Sequence, residues 1–355
     1  MNSPALLALF SFGAITLAQE SPDPRRPRPE PGGSKREGGP AADARAGRPG
    51  PWDRDVVVYR TAPDGKTERV TTFERAGVPT IARLGDGRLI AAHQHFPADF
   101  GADFDKVAVH FSDDDGRTWS PPQVIQLTGL PAGMRFPFDP TLVPLPDGRV
   151  RLYFTSLHGR RFDESKPAIY SAISRDGVNF EFEPGVRFAI EGRPVIDCAV
   201  ALHRGLFHLY SPDNGTDNSQ RDGERPRDGV GYHATSSDGL SFTRQPDVQI
   251  GGRRRWLGNA QSDGQLITFY GTGEGLWMAT SEDSSAWTPA SAPAIRGGDP
   301  GAVATRDGGL IVVITGEPRP GTPRPPRREG PGGPNGFGPP PQPPPNGEAP
   351  SVPAR

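Results

Sequence analysis

"FSDDDGRTWS", residues 111–120, holds three carboxylates, a glycine, a threonine and a tryptophan in one run. It can be read as an acidic active site, a metal loop or a turn that builds a fold. Shortened copies decide between them: Ser174, Asp176 and Phe180; Ser236, Asp238 and Phe242; Ser281, Asp283 and Trp287 repeat the spacing of Ser112, Asp114 and Trp119. A Ser-x-Asp turn of this kind satisfies backbone N–H groups with its own side chains. Glycine supplies the positive-φ position, and the aromatic is sized to plug a gap between sheets. The oxygen spacing fits no EF-hand. The run is therefore read as architecture, and chemistry is sought elsewhere.

Each copy follows a hairpin. "VPTIARLGDGRLIAAHQ", "FDPTLVPLPDGRVRLYFT", "IDCAVALHRGLFHLYS" and "GNAQSDGQLITFYG" each read as strand, tight turn, strand, and a fifth, "GDPGAVATRDGGLIVVIT", does the same. Their starts, near Pro79, Asp139, Asp197, Asn259 and Asp299, recur at blade-sized intervals. Four strands per repeat is the unit of a β-propeller. Four repeats are complete and the fifth lacks its outer pair. "DVVVYRTAPDGKTERVTTF", residues 55–73, supplies two strands and is expected to close the ring against residues 300–315. The fold class is all-β, a five-bladed propeller spanning residues 52–317.

Strands alternate in direction, so the start of each inner strand and the end of the second share one face, opposite the Ser-x-Asp turns. That face collects Asp139, Asp197 and Asp299 as candidate catalytic acids. Arg75, Arg135, Arg193 and Arg255 precede the inner strands at regular intervals and, with Asn259, His93 and His95, are candidates for holding substrate. Guanidinium groups bind carboxylate or phosphate in a fork. Crowded carboxylates push their pKa values apart, which glycoside hydrolysis exploits. A purely structural Arg–Asp ladder is the competing reading. His93 and His95 share one strand face and, with Asp99 or Asp213, form a weak metal pattern; no metal and no cofactor is expected.

The repeats resemble the sialidase, or BNR-repeat, superfamily, whose Asp-box matches Ser112, Asp114, Gly116, Thr118 and Trp119 in full. The resemblance covers most of residues 75–315. It implies an arginine cluster, echoed by Arg75 in "FERAGVP", and an acid/base aspartate, for which Asp99, Asp103 or Asp105 are in place. It also implies a Tyr–Glu pair, conceivable only as Tyr270 with Glu274. A weaker similarity joins "FDP" (Asp139) and "IDC" (Asp197) to five-bladed arabinanase and β-fructosidase glycosidases, which carry acids on their first three inner strands; the first strand here reads "GVP". The resemblance implies a glycoside hydrolase acting on a glycan, an acidic one included. The alternative is a carbohydrate-binding propeller without catalysis.

Composition frames this reading. "ALLALFSFGAITLA", residues 5–18, is too short to span a bilayer and suits a signal peptide over 1–18, so export is expected. Residues 19–51 and 318–355 are rich in Pro, Gly and Arg and read as disordered. The chain carries a net charge of −2, and both arms are basic, leaving an acidic body with no basic stripe. That excludes nucleic acid as the partner. The single cysteine, Cys198, rules out an intramolecular disulfide, and its place beside Asp197 predicts a buried, inert thiol. A monomer is expected.

Overall fold

The computed structural model describes residues 51–99, 101–159, 165–216 and 224–319. The signal-peptide and disordered-arm readings fall outside these residues, apart from the few at the arms' inner ends.

The chain begins with a 3-10 turn, Pro51–Asp53, and two strands, β1 (Val56–Thr61) and β2 (Thr67–Phe73). Blade 1 follows as β3 (Ala76–Arg83), β4 (Leu89–His95), β5 (Lys106–Ser112) and β6 (Gln123–Val124). Blade 2 holds β7 (Gln126–Thr128), β8 (Phe138–Pro144), β9 (Val150–Ser156), β10 (Ala168–Ser174) and β11 (Asn179–Phe188). Here β7 adds an unforeseen fifth strand, parallel to β11. Blade 3 is β12 (Ala199–His203), β13 (Leu206–Pro212), β14 (Val230–Ser236) and β15 (Thr243–Gln249). Blade 4 is β16 (Arg255–Ser262), β17 (Ile267–Thr272), β18 (Leu276–Ser281) and β19 (Thr288–Ala290). Blade 5 joins β20 (Gly298–Ala304) and β21 (Leu310–Thr315) to β1 and β2, in the order β2-β1-β21-β20. The molecule is a five-bladed β-propeller. Its seam is the pairing of β1 with β21, Val56 opposite Thr315 and Thr61 opposite Leu310.

Alternation along each strand builds the ring. Successive side chains point to opposite faces, so each sheet feeds two cores. On β9, Leu152 and Phe154 join a cluster with blade 1 residues Ile90, Val107 and Val109. Tyr153, between them, joins the blade 3 cluster of Val200, Leu209 and Tyr232. Five such clusters fill the five blade interfaces. At the interface of blades 3 and 4, Trp256 is fully buried.

The Ser-x-Asp turns lock these interfaces. In blade 1, Ser112 Oγ donates to Asp114 and accepts from the N–H of Gly116, and Asp114 accepts from the N–H groups of Arg117 and Thr118. The plug aromatics reach the preceding blade: Trp119 meets Phe73, Phe242 meets Tyr153, and Trp287 meets Tyr210, all edge-on. Hydroxyls reach the other way, Tyr153 to Gly239 O at 2.8 Å and Tyr210 to Ser284 O at 3.3 Å. A Cβ on Gly239 would stand 2.7 Å from the Tyr153 hydroxyl oxygen, so this turn requires glycine for space as well as for its φ of 70°.

Candidate active site

One backbone feature recurs where the inner strands begin. Val78, Asp139, Asp197 and Asp299 adopt φ of 50°, 51°, 66° and 50°, and Gly258 takes the same place in blade 4 with φ of 151°. In blades 1, 2, 4 and 5 a register shift accompanies it. The repeat position is therefore Val78–Asp139–Asp197–Gly258–Asp299; Pro79 and Asn259 are each one residue past it. Left-handed backbone costs roughly 1–3 kcal/mol per non-glycine residue, and a β-branched valine is the worst fit. The conformation turns each N–H out of its own ladder, and threonines of the preceding blade collect three of them. Val78 N–H donates to Thr315 Oγ1 at 2.9 Å, Asp197 N–H to Thr155 Oγ1 at 2.9 Å, and Asp299 N–H to Thr272 Oγ1 at 2.8 Å.

The three aspartates act on one another electrostatically at the hub. Burial pushes Asp139 up to about 7, the Asp299 charge adds to it, and Arg135 opposes. Asp197 is raised well above the carboxylate range, first by burial and then by Asp139 and Asp299, with Arg255 opposing. Burial raises Asp299 less, to about 6, because Arg54 and Arg255 offset it. Asp139 is 8% exposed, whereas Asp197 and Asp299 keep a larger part of their surface toward solvent. Asp197 and Asp299 thus sit deep in protein while keeping part of their surface exposed. Protons distribute over such a set as a whole. Near neutral pH it holds both a protonated acid and a carboxylate.

Arginines frame the acids, but most are already engaged. Arg135 donates to Asp105 Oδ2 at 2.7 Å and lies 4.3 Å over the Phe138 ring. Asp105 also accepts from Gln94 Nε2 at 2.7 Å, and burial raises its pKa against the pull of Arg135. Arg255 donates to Asn214 Oδ1 at 2.9 Å and to Asp213 O at 3.2 Å, close enough to act on Asp197 and Asp299. Arg54, which no repeat or motif marks out, donates to Gly316 O at 2.7 Å and also acts on Asp299. Among the described residues the Arg75 side chain has no hydrogen-bond partner; its backbone N–H is held by Asp55 Oδ1 at 2.7 Å.

Other candidates lie elsewhere. Arg193 turns to blade 3, 3.5 Å from Asp213 and bonded to Glu224, in a 330 Å³ surface cavity with Arg227, Arg244 and Asp247. Its guanidinium is engaged there by two carboxylates. His93 is 1% exposed: its Nδ1 faces Gln94 O at 2.9 Å and its Nε2 faces His110 Nε2 at 3.1 Å. It is part of the core, not of the rim. His95 is half-buried at the end of β4, its Nδ1 has no hydrogen-bond partner among the described residues, and burial lowers its pKa against Asp103 and Asp99. Asn259 is 1% exposed and spans the inner strands, donating to Thr80 Oγ1 at 3.4 Å and accepting from Gln261 at 2.9 Å. Being one residue past the turn, it points into the hub instead of the mouth. Tyr270 is buried in the interface of blades 4 and 5, while Glu274 is exposed on the following turn. Cys198 is buried, and burial pushes its thiol up. Among the described residues, no group of three or more His, Cys, Asp or Glu is set to hold a metal ion, and no helix is long and apolar enough to cross a membrane.

Fold and site together define a five-bladed propeller with an acidic hub. No protein-family model matches the sequence, and no curated protein matches it. Solved structures with a similar fold include an α-L-arabinanase from Penicillium chrysogenum complexed with arabinobiose, at 15% identity and a TM-score of 0.49, over 74% of this chain and 84% of that one. A Dyadobacter fermentans protein of unknown function gives 13% identity and a TM-score of 0.47, over 70% of this chain and 79% of that one. An α-L-arabinofuranosidase from Fusarium graminearum gives 14% and 0.44, over 72% and 84%. These likenesses concern the fold.

Proposed function

We propose that this propeller is a glycoside hydrolase whose working groups are Asp139, Asp197 and Asp299. One observation carries the reading: three carboxylates occupy the same strained position on three inner strands, where burial raises the proton affinity of all three and the neighbouring acids raise those of Asp139 and Asp197 further. Hydrolysis of a glycosidic bond needs a carboxylic acid to protonate the leaving oxygen and a carboxylate on the other side of the sugar. Asp197, raised most and facing both other acids, suits the acid. Asp299, next to the charges of Arg54 and Arg255, suits the carboxylate. Asp139 lies between them in proton affinity and tunes the pair. The proton passes from Asp197 to the departing oxygen, the C–O bond breaks, and water adds to the anomeric carbon with loss of its proton to a hub carboxylate.

The engagement of Arg135, Arg193 and Arg255 by protein partners supports an uncharged sugar over an acidic one. A sialidase-like activity would need guanidinium groups open to substrate, and Arg75 alone among the four candidates offers that. The apolar run at residues 5–18 supports export, which the N-terminal mass of protein recovered outside cells checks.

The test is a screen of the full chain against chromogenic furanosides, pyranosides and sialosides. Turnover of a neutral glycoside is expected, with Asp197→Asn and Asp299→Asn each losing about 10²–10⁴-fold in kcat/KM. Glycan binding without turnover would replace this reading with a binding propeller.

A further inference from the structure

We propose that Ser211 and Asn214, at and just past the end of β13, are positioning residues for Asp197: their side chains pin the backbone on both sides of the acid and so set the direction in which its carboxyl delivers a proton. The inference rests on reading Asp197 as the acid of the hub.

The two peptide planes that flank Asp197 are both held by side chains. The first joins Ile196 to Asp197. Asn214 Nδ2 donates to its carbonyl, Ile196 O, at 3.0 Å, and Thr155 Oγ1 accepts from its other end, the Asp197 N–H, at 2.9 Å. The second plane joins Asp197 to Cys198, and Ser211 Oγ donates to its carbonyl, Asp197 O, at 2.7 Å. The planes meet at the Asp197 Cα, so pinning both fixes φ and ψ there, and the Cα–Cβ direction follows. Asp197 needs this support, because its φ of 66° persists only where the surroundings over-determine it. Ser211 is fully buried, which frees its bond to Asp197 O from competition with bulk water.

Asn214 suits its place through its two unlike ends. The amide nitrogen meets a carbonyl, and the amide oxygen meets a cation: Oδ1 accepts from Arg255 Nη2 at 2.9 Å. One carboxamide thus ties the backbone of the acid to the guanidinium that acts on both Asp197 and Asp299. An aspartate there would have no donor for Ile196 O. The grip on Asp299 is lighter. Among the described residues, side chains reach its backbone once, where Thr272 Oγ1 accepts its N–H at 2.8 Å. The difference follows the roles, since the acid is the member that must aim a proton at the leaving oxygen.

The experiment compares two leaving groups on the sugar that the chromogenic screen selects. Phenoxide departs readily only when protonated, and 2,4-dinitrophenoxide departs without a proton. Asn214→Ala and Ser211→Ala, each in the full chain, should lower kcat/KM on the phenyl glycoside by about 10-fold and on the 2,4-dinitrophenyl glycoside by less than about 2-fold. Tyr210→Phe removes a hydroxyl–carbonyl bond on the far face of the same blade and should leave the ratio of the two at its wild-type value. Equal losses on both glycosides, or no loss on either, would overturn the proposal while leaving the hydrolase reading standing. A wild type that turns over no glycoside overturns both. If Asn214→Ala does not fold, Ser211→Ala decides alone, because it removes a single buried oxygen.

Discussion

Asp238 and Asp197 belong to the same blade and are the same residue, yet they behave oppositely. Asp238 sits in the turn after β14, on the far face; the N–H of Ser241, then the hydroxyl of Ser236 and the N–H of Leu240, hold its carboxyl down to about 2. Asp283 is held to about 2 in the same way, first by the N–H of Ala286. Asp197, at the start of the blade's inner strand, is driven up by burial and by two other acids. The difference lies in what the backbone offers. In the turn, the loop points N–H groups at a solvent-facing carboxylate. At the hub, the left-handed residue points its own N–H at a threonine, so that group is spent before the carboxylate can use it. One face thus uses aspartate as a fixed anion to build turns, and the other uses it as a group poised to exchange a proton.

The largest expected effect separates the faces by function. Asp197→Asn should cost about 10³-fold in turnover, whereas Asp238→Asn should leave turnover within about 2-fold. Comparable losses in both variants would break the distinction, and steady-state kinetics on one responsive glycoside would reveal it. Next comes stability. Asp238→Ala removes the acceptor for two N–H groups and should cost roughly 1–2 kcal/mol in urea unfolding. No loss would mean that water satisfies the loop equally well.

The smallest effect is the most specific, because the two sets of acids should slope in opposite directions with pH. A turn aspartate binds its proton more weakly in the folded than in the unfolded chain, so its stabilisation is lost as pH falls through about 4 toward 2. Asp139 and Asp299 bind protons more tightly when folded, so the stability they contribute falls as pH rises from about 4 and is lost above about 7. Replacing Asp139 and Asp299 together by Asn should raise Tm by about 3–6 °C at pH 8 and change it little at pH 4. A gain of equal size at both values would show that packing, not charge, is responsible.

Much of this contrast was legible in the sequence. Four Ser-x-Asp spacings and five Asp-Gly or Gly turns gave the blade count, because such turns require particular residues at fixed offsets. The seam between residues 55–73 and 300–315 followed from the missing half-blade, and β1 on β21 matches it. Asp139, Asp197 and Asp299 were singled out by their shared phase, and all three share the left-handed position. Val78 and Gly258 were not, because at those blades the position carries no acid, and Pro79 and Asn259 drew the reading one residue downstream. The arginines are less uniform than their spacing. Their intervals along the chain are regular, but loops ahead of a strand need not follow its geometry, and Arg193 goes where Asp213 and Glu224 pull it. Thr155 left a trace in "FTS", "GTG" and "ITG", which place a threonine near the second-strand end of three blades; the trace is visible only once the left-handed residues are known.

The seam has a consequence for how the working face comes into being. Strands β1 and β2 leave the ribosome first, and their partner β21 leaves only after every other blade. Until then the protein is an open arc whose two end sheets are bare, and long-range closure of this kind is intrinsically slow. Asp139, Asp197 and Asp299 come from blades on both sides of that gap, so the complete acid set is born in the last docking event. A chain that stops short of β21 therefore has an unclosed ring and leaves the β1 edge unpaired.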